Sequence, residues 1–371
     1  MTSRRVLIVY SRVGGGHLSA ARALAAEVEA TGRAETQLLD VYLEAGRFPV
    51  TLFPRGYTQL ARHYPRVWAL IYLTGRLHLQ PRPVLTPFLK QGLLRTIERE
   101  RPDLVVSVLP AVNGVIADVV AGQGRGTRFE VVLTDWHSIH RFWVADGVDH
   151  YTAPTPSARE DCIGYGAAPD TIDVVGIPVR RAFSVPVTNA RDKVAELGLD
   201  ARRFSILAMM GAEGSPGSRR NIARLMRSDL SAQLIVICGN NARLQRQLEA
   251  RPGRMPTRAL GFVDNIADLM CASDLLVTKA GGVTLAEAFC SGTPVVVHDV
   301  LPGQEAGNLQ FALDHGAVAY ARNRERLVQI VSDLRDDPTR RARLAASGRA
   351  LARPHAAAEI AANLLRRLER G

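Results

Sequence analysis

Lysine is nearly missing from this chain. Of its 47 basic side chains only Lys90, Lys193 and Lys279 are lysines, so arginine carries the net charge of +11. Cysteine is scarce as well: Cys162, Cys238, Cys271 and Cys290 stand far apart and form no CxxC pair. That spacing excludes a disulfide-stapled scaffold, argues against a zinc site and predicts buried thiols in a reducing compartment. Long apolar runs are also missing. The first run, Val6 to Tyr10, stops at Ser11-Arg12 and is too short for a signal-peptide core. The most apolar long window, Leu104 to Val120, is broken by Pro110, Asn113 and Asp118, so it does not make a bilayer span of about 20 residues. Any membrane contact is expected to be peripheral. The 31 glycines follow no triplet period, which excludes a collagen-like chain. With 47% hydrophobic and 22% charged residues, a largely disordered chain is excluded too.

The arginine excess has two readings. One is genomic composition bias; the other is a polyanionic partner, whether nucleic acid, an anionic membrane or a phosphorylated substrate. Charge alone does not choose. The chain's organisation is more specific. Short apolar runs at Val6–Tyr10, Leu104–Leu109, Val131–Leu133 and Ile172–Val175 alternate with helical stretches. A second series follows at Ser205–Met209, Leu234–Cys238, Leu275–Thr278 and Pro294–His298. Such runs between helices indicate parallel sheets covered on both faces, here two doubly wound α/β domains. The irregular stretch Pro178–Asp192 marks the boundary, giving domains at 1–182 and 183–352 and a final helical segment at 353–371. Residues 46–95 depart from the scheme. Phe48, Phe53, Tyr57, Tyr64, Trp68, Tyr72 and Phe88 are interleaved there with Arg47, Arg55, Arg62, Arg66, Arg76 and Arg82. Rings and arginines mixed in this way suit a membrane–water interface, or a helical excursion packed on the first domain.

Three turns carry candidate chemistry. Ser11-Arg12-Val13-Gly14-Gly15-Gly16-His17 joins the first strand to the first helix; Gly14, Gly15 and Gly16 let backbone N–H groups approach a ligand with His17 as a general base, or simply make a tight βα turn with His17 a satisfied polar residue. Thr278-Lys279-Ala280-Gly281-Gly282-Val283-Thr284 again runs from strand through glycines into a helix. It has the form of a phosphate seat, with Glu287 one turn further able to accept from a ribose diol or simply to favour the helix dipole. Pro302-Gly303-Gln304-Glu305-Ala306-Gly307-Asn308 is dense in amide and carboxylate groups, suited to sugar hydroxyls or to capping a helix. His137 and His140 are three apart but lack a carboxylate or cysteine partner pattern, so no metal site is expected.

Taken together these motifs resemble the monogalactosyldiacylglycerol synthase and processive diacylglycerol glucosyltransferase family, and more distantly the GlcNAc transferase that makes lipid II. The resemblance rests on GGGH at Gly14–His17, on Leu133-Thr134-Asp135 with His140 and Trp143, and on Gly176–Arg180. It continues through Gly211-Ala212-Glu213-Gly214, Gly261-Phe262-Val263, Lys279–Ala288 and Pro302–Asn308. It implies a GT-B fold: two Rossmann-like domains facing a cleft, with the C-terminal helix crossing back to the first. It further implies that Phe262 and Val263 lie at uracil and Glu287 at ribose. Gly281, Gly282, Val283 and Thr284 with Arg180 would lie at the diphosphate, and Gln304 and Glu305 at the donor sugar. Gly15, Gly16, Gly211 and Glu213 belong to the same binding set. Plant members carry a proline within the second glycine turn and an arginine after GGGH, where this chain has Gly281-Gly282-Val283 and Leu18.

The resulting expectation is an inverting, metal-independent hexose transfer from a UDP-sugar to a lipid hydroxyl, diacylglycerol or a related acceptor. His17 would take the acceptor proton, oriented by Asp135, on an anionic membrane at its cytoplasmic face, with no cofactor and no nucleic acid. The alternatives are lipid II-type GlcNAc transfer, a UDP-sugar 2-epimerase and, outside enzymes, a basic nucleic-acid-binding protein.

Overall fold

The computed structural model describes residues 3–12, 15–53, 56, 64, 81–185, 187–210, 216–250, 253–301, 303 and 305–370. Of the residues singled out above, Val13, Gly14, Gly211, Ala212, Glu213, Gly214, Pro302 and Gln304 lie outside this set. So do Arg55, Tyr57, Arg62, Arg66, Trp68, Tyr72 and Arg76. The chain divides into two compact units. One comprises Met1–Arg181, Pro302–Gly307 and Arg353–Gly371; the other comprises Ala182–Leu301 and Asn308–Ala352.

In the first unit β1 (Arg4–Tyr10), β2 (Ala34–Asp40), β3 (Leu104–Ser107), β4 (Arg128–Val132), β5 (His150–Ala153) and β6 (Ile172–Val174) form a parallel sheet in the order β2-β1-β3-β4-β5-β6. Among the described residues its α-helices are α1 (Gly16–Ala30), α2 (Arg82–Glu100), α3 (Asn113–Gly122), α4 (Pro156–Gly164) and the C-terminal helix Ala356–Arg370. The period-two alternation of β1 sends Leu7 and Val9 to one face, against Leu89, Leu93 and Ile97 of α2 and Val115 and Ile116 of α3. Val6, Ile8 and Tyr10 go to the other face, against Leu24 and Val28 of α1 and Ile360, Leu364 and Leu365 of the C-terminal helix. Both faces are therefore covered, and each buried aliphatic side chain stabilises the layer by about 1.5–3 kcal/mol.

The second unit has α5 (Asp192–Glu196), β7 (Ser205–Met209), α6 (Pro216–Met226), β8 (Gln233–Ile237), α7 (Ala242–Glu249) and β9 (Thr257–Leu260). It continues with α8 (Ile266–Ala272), β10 (Leu275–Lys279), α9 (Gly282–Ser291), β11 (Val295–Asp299), α10 (Ala306–Asp314), β12 (Val318–Tyr320), α11 (Arg324–Asp336) and α12 (Pro338–Leu351). Its parallel sheet runs β12-β11-β10-β7-β8-β9, the doubly wound order in which the chain starts in the middle and builds outward both ways. The order reverses between β1 and β3 in the first sheet and between β7 and β10 in the second. In open α/β sheets ligands sit outside the carboxyl ends of the strands at such a point.

The segment Pro302–Gly307, assigned to the second domain on sequence, groups with the first unit. Steric contact explains why. A Cβ on Gly307 would come within 2.1 Å of the His137 carbonyl oxygen, so only glycine lets the two backbones approach this closely.

Candidate active site

The reversal point of the first sheet carries Gly15, Gly16 and His17, and that of the second carries Gly281–Thr284 and Glu287. In the first, β1 ends at Tyr10 and the chain enters α1 through Gly15, whose φ of 80° is the left-handed conformation glycine adopts without strain. His17 follows in the first turn of the helix. Its ring is half-buried and its Nδ1 is fully enclosed, with no hydrogen-bond partner among the described residues. Burial pushes the imidazole pKa down to about 4, and the positive end of α1 acts in the same direction. The ring is therefore neutral at pH 7.

Asp135 lies past the end of β4 and is buried. Its link to the His17 ring runs through Trp143. Its Oδ2 accepts from Trp143 Nε1 at 2.9 Å, and the Trp143 ring meets the His17 ring edge-on, with centroids 6.5 Å apart. The sequence gives no hint of the third partner. Asn113, fully buried at the start of α3, donates from Nδ2 to the Trp143 carbonyl at 2.9 Å. Trp143 is thus held at its indole and at its backbone by groups following β3 and β4, and it walls one side of His17. His137 and His140 have ordinary structural partners: His137 Nδ1 lies 3.0 Å from Ser157 Oγ, and His140 Nδ1 accepts from the Phe142 N–H at 3.2 Å. Arg180 follows β6 and, with the buried Glu305, belongs to this first unit.

In the second unit β10 runs through Lys279 and Ala280 into Gly281, which caps α9 without a side-chain acceptor. The turn is pinned by buried Asn308, whose Nδ2 donates to the Ala280 carbonyl at 3.2 Å. Gly282 and Val283 are buried, Thr284 is partly exposed, and Glu287 is buried on the same face of the helix as Thr284. A helix start of this kind presents backbone N–H groups and a positive dipole end to an anion. Phe262, at 57% exposure, and Val263 follow β9 at the same carboxyl edge of the sheet.

A neighbouring cluster escaped the sequence reading. His298 on β11 is buried, with Asn221 Nδ2 of α6 3.1 Å from its Nδ1 and also donating to its carbonyl at 3.1 Å. Ser218 Oγ of α6 donates to Asp299 Oδ2 at 2.7 Å, and Asp299 is the register partner of Lys279 across a ladder irregularity. These groups tie α6 to the strands that end beside the glycine turn. Their separation of nearly 80 positions in the chain hides them from any local pattern.

Comparison with known proteins places the chain in a family. A family profile for monogalactosyldiacylglycerol (MGDG) synthase matches residues 17–179, and one for glycosyl transferases group 1 matches residues 219–351. The rice protein named Probable monogalactosyldiacylglycerol synthase 2, chloroplastic (Oryza sativa subsp. japonica) is 30% identical over 86% of this chain and 71% of its own length. The chain belongs to the monogalactosyldiacylglycerol synthase family. Spinach (Spinacia oleracea) monogalactosyldiacylglycerol synthase, chloroplastic, is 30% identical over 89% of the chain, and the chain spans 66% of that protein's length. Processive diacylglycerol beta-glucosyltransferase of Bacillus pumilus is 27% identical over 91% of this chain and 88% of its own. The two-unit fold of this monogalactosyldiacylglycerol synthase family member is also that of S. aureus MnaA, solved with UDP (TM-score 0.65, 13% identity, 99% and 97% of the two chains). Acinetobacter baumannii MurG shares it as well (TM-score 0.62, 15% identity, 98% and 99%). The pair of Rossmann-like units expected from the sequence is therefore the observed fold, of the GT-B type.

Proposed function

We propose that this chain transfers a hexose from a UDP-sugar to the free hydroxyl of diacylglycerol, with inversion at the anomeric carbon. The observation that carries the proposal is a histidine kept neutral by burial at the reversal point of the first sheet, in a chain whose second sheet carries an open glycine turn and a buried Glu287 at its own reversal point. The acceptor oxygen forms a bond to the anomeric carbon as the bond from that carbon to the diphosphate oxygen breaks. His17 takes the hydroxyl proton and UDP leaves as the anion. N–H groups of the Gly281–Thr284 turn, together with Arg180, offset the charge developing on the diphosphate, a role otherwise given to a metal ion. Glu287 holds the ribose, Phe262 and Val263 the base, and Gln304 and Glu305 the sugar, with Gly15, Gly16, Gly211 and Glu213 completing the binding set.

The relatives' names support the lipid acceptor: one set names monogalactosyldiacylglycerol, the other a diacylglycerol beta-glucoside. A β-glucoside formed from an α-linked UDP-sugar requires inversion. The 2-epimerase and lipid II readings share only the fold at 12–15% identity, which does not choose an activity.

A bilayer-borne acceptor requires docking at a membrane, which we place at the cytoplasmic face. No described helix is long and apolar enough to cross one. In the described part of the 46–95 stretch, Phe48 is 75% and Val84 69% exposed, with Leu52 and Phe53 also exposed, an arrangement that suits interfacial contact. Two experiments test the proposal. Liposomes containing diacylglycerol are incubated with the protein and a panel of UDP-hexoses; a new glycolipid with β configuration is expected, and no product from any donor overturns the reading. Sedimentation with anionic liposomes is expected to weaken in Phe48→Ser/Val84→Ser, and unchanged binding removes this face from the docking surface.

A further inference from the structure

The first sheet has a concave feature at its amino edge. A cavity of about 410 Å³ opens between the start of β1, the end of α2 and the loop before β4. Arg4, Arg101, Arg125 and Arg128 line it, with Asp103 as the acid and Leu368 of the C-terminal helix as part of the wall. Its frame is well tied. Asp103 N donates to the Arg5 carbonyl at 2.9 Å, Arg128 N to the Asp103 carbonyl at 3.0 Å and Thr127 Oγ1 to the Pro102 carbonyl at 2.9 Å.

The charges on this frame do not balance. Asp103 is already engaged: one oxygen accepts from Arg4 Nη1 at 2.9 Å and the other from the Arg5 N–H at 2.8 Å. Arg4 spends one nitrogen on that contact, and Arg128 spends one on the Arg367 carbonyl at 2.6 Å. The guanidinium groups of Arg101 and Arg125 have no hydrogen-bond or ion-pair partner among the described residues. Four arginines thus line the cavity against a single carboxylate, which Arg4 already engages. Like charges gathered in a concavity focus the field and raise the local concentration of anions. The planar fork of arginine matches two oxygens of a phosphate, which a point-charge lysine does not.

We propose that this cavity is a binding site for phosphomonoester or diphosphate groups, separate from the transfer site. β1 has seven residues, so the two edges of the sheet lie about 20 Å apart and one ligand does not reach both. The anion is therefore not the donor's diphosphate. Because Leu368 lines the site and Arg128 of the site holds the Arg367 carbonyl, occupancy fastens the C-terminal helix to the sheet. The phosphate belongs either to a soluble metabolite or to a lipid headgroup, and the chemistry of recognition is the same for both.

The test uses the full chain with pyrophosphate as the soluble probe, titrated calorimetrically with UDP held at saturation to occupy any donor site. Arg101→Ala/Arg125→Ala is compared with Arg326→Ala/Arg343→Ala, which removes equal charge from exposed positions in the other unit. The first variant is expected to weaken pyrophosphate at least tenfold and to lose its thermal stabilisation, while melting without ligand stays unchanged. The second variant is expected to bind as wild type. Sedimentation with phosphatidic acid vesicles forms the second arm. A defect only with pyrophosphate assigns a soluble ligand, and a defect with vesicles assigns the headgroup. Equal weakening in both variants, or no binding of either probe by the wild-type protein, overturns the proposal. None of these readouts requires turnover, so they stand apart from the test of hexose transfer.

Discussion

A side chain that is to accept a proton must be neutral beforehand, and His17 meets that condition through burial. Its lowered pKa of about 4 leaves the ring uncharged throughout the neutral range, at the cost of intrinsic basicity, since general bases work best with a pKa near the operating pH. Two measurements follow. His17→Ala should lower kcat by about 10²–10⁴-fold while leaving the UDP dissociation constant unchanged; retention of more than a tenth of the rate removes His17 from the role. In the proposed mechanism the active form is the deprotonated one, so activity is expected to be lost as pH falls through the His17 pKa. kcat/KM should therefore stay flat below the ordinary histidine value of 6.5 and fall only toward pH 4. An acid limb at 6.5 contradicts the burial argument. Glu287 is tested at the same scale. On the proposed ribose contact, Glu287→Ala removes a charge-assisted hydrogen bond worth about 1.5–3 kcal/mol, or roughly 10–150-fold in UDP affinity. Calorimetry showing no weakening sinks that assignment. Both residues were legible in the sequence because each sits beside a glycine turn that ends an apolar run. The clamp on Trp143 was not, because Asn113 stands 30 positions away and meets it only through the packing of β3 against β4.

At the scale of elements, what the sequence disclosed depended on burial. The strands it marked, β1, β3, β4, β7, β8, β10 and β11, lie inside their sheets and read as continuous apolar runs. It also marked the edge strand β6. It missed β2, β9 and β12, which are edge strands paired on one side only, and β5, whose four residues His150-Tyr151-Thr152-Ala153 are too short and polar for a period. The C-terminal helix was visible through its apolar stripe, but not the ionic clasp beneath it. Arg367 donates to both oxygens of buried Glu130 on β4, with Nη2 to Oε2 at 2.6 Å, and from Nη1 to Asp173 at 2.7 Å. Burial pushes the Glu130 carboxyl up, against the pull of Arg367, so the pair is held at some desolvation cost. Removing one partner leaves that charge uncompensated. Arg367→Met is expected to destabilise the protein by about 3–5 kcal/mol, and Arg367→Met/Glu130→Met to recover most of the loss. Urea unfolding checks both, and a double variant no more stable than the single one contradicts the desolvation argument.

For the molecule as a whole, a common device in the two units sets how stability responds to acid. His17 in the first and His298 in the second are each held neutral by burial, with pKa values lowered to about 4. At His298, Lys279 pushes the same way as burial and Asp299 opposes it. In the unfolded chain both imidazoles titrate near 6.5, so below that pH the unfolded state binds protons that the native state does not. Stability present at neutral pH is therefore lost as pH falls from 6.5 toward 4, and the loss is complete once both states are protonated. Asp40 and Glu130 act in the opposite sense, because burial raises their pKa values and the native state holds their protons more tightly. The wild-type profile alone mixes these contributions, and a substitution separates them. In His298→Asn the amide oxygen takes the place of Nδ1 facing Asn221, and the titrating ring is gone. The variant should be less stable than wild type at pH 7.5 but should lose less stability on going to pH 5. The difference in slope should approach roughly 2 kcal/mol, since each unit between the two pKa values is worth about 1.4 kcal/mol. Urea midpoints at the two pH values measure it, and parallel losses in the two proteins would show that His298 titrates alike in the folded and unfolded chain.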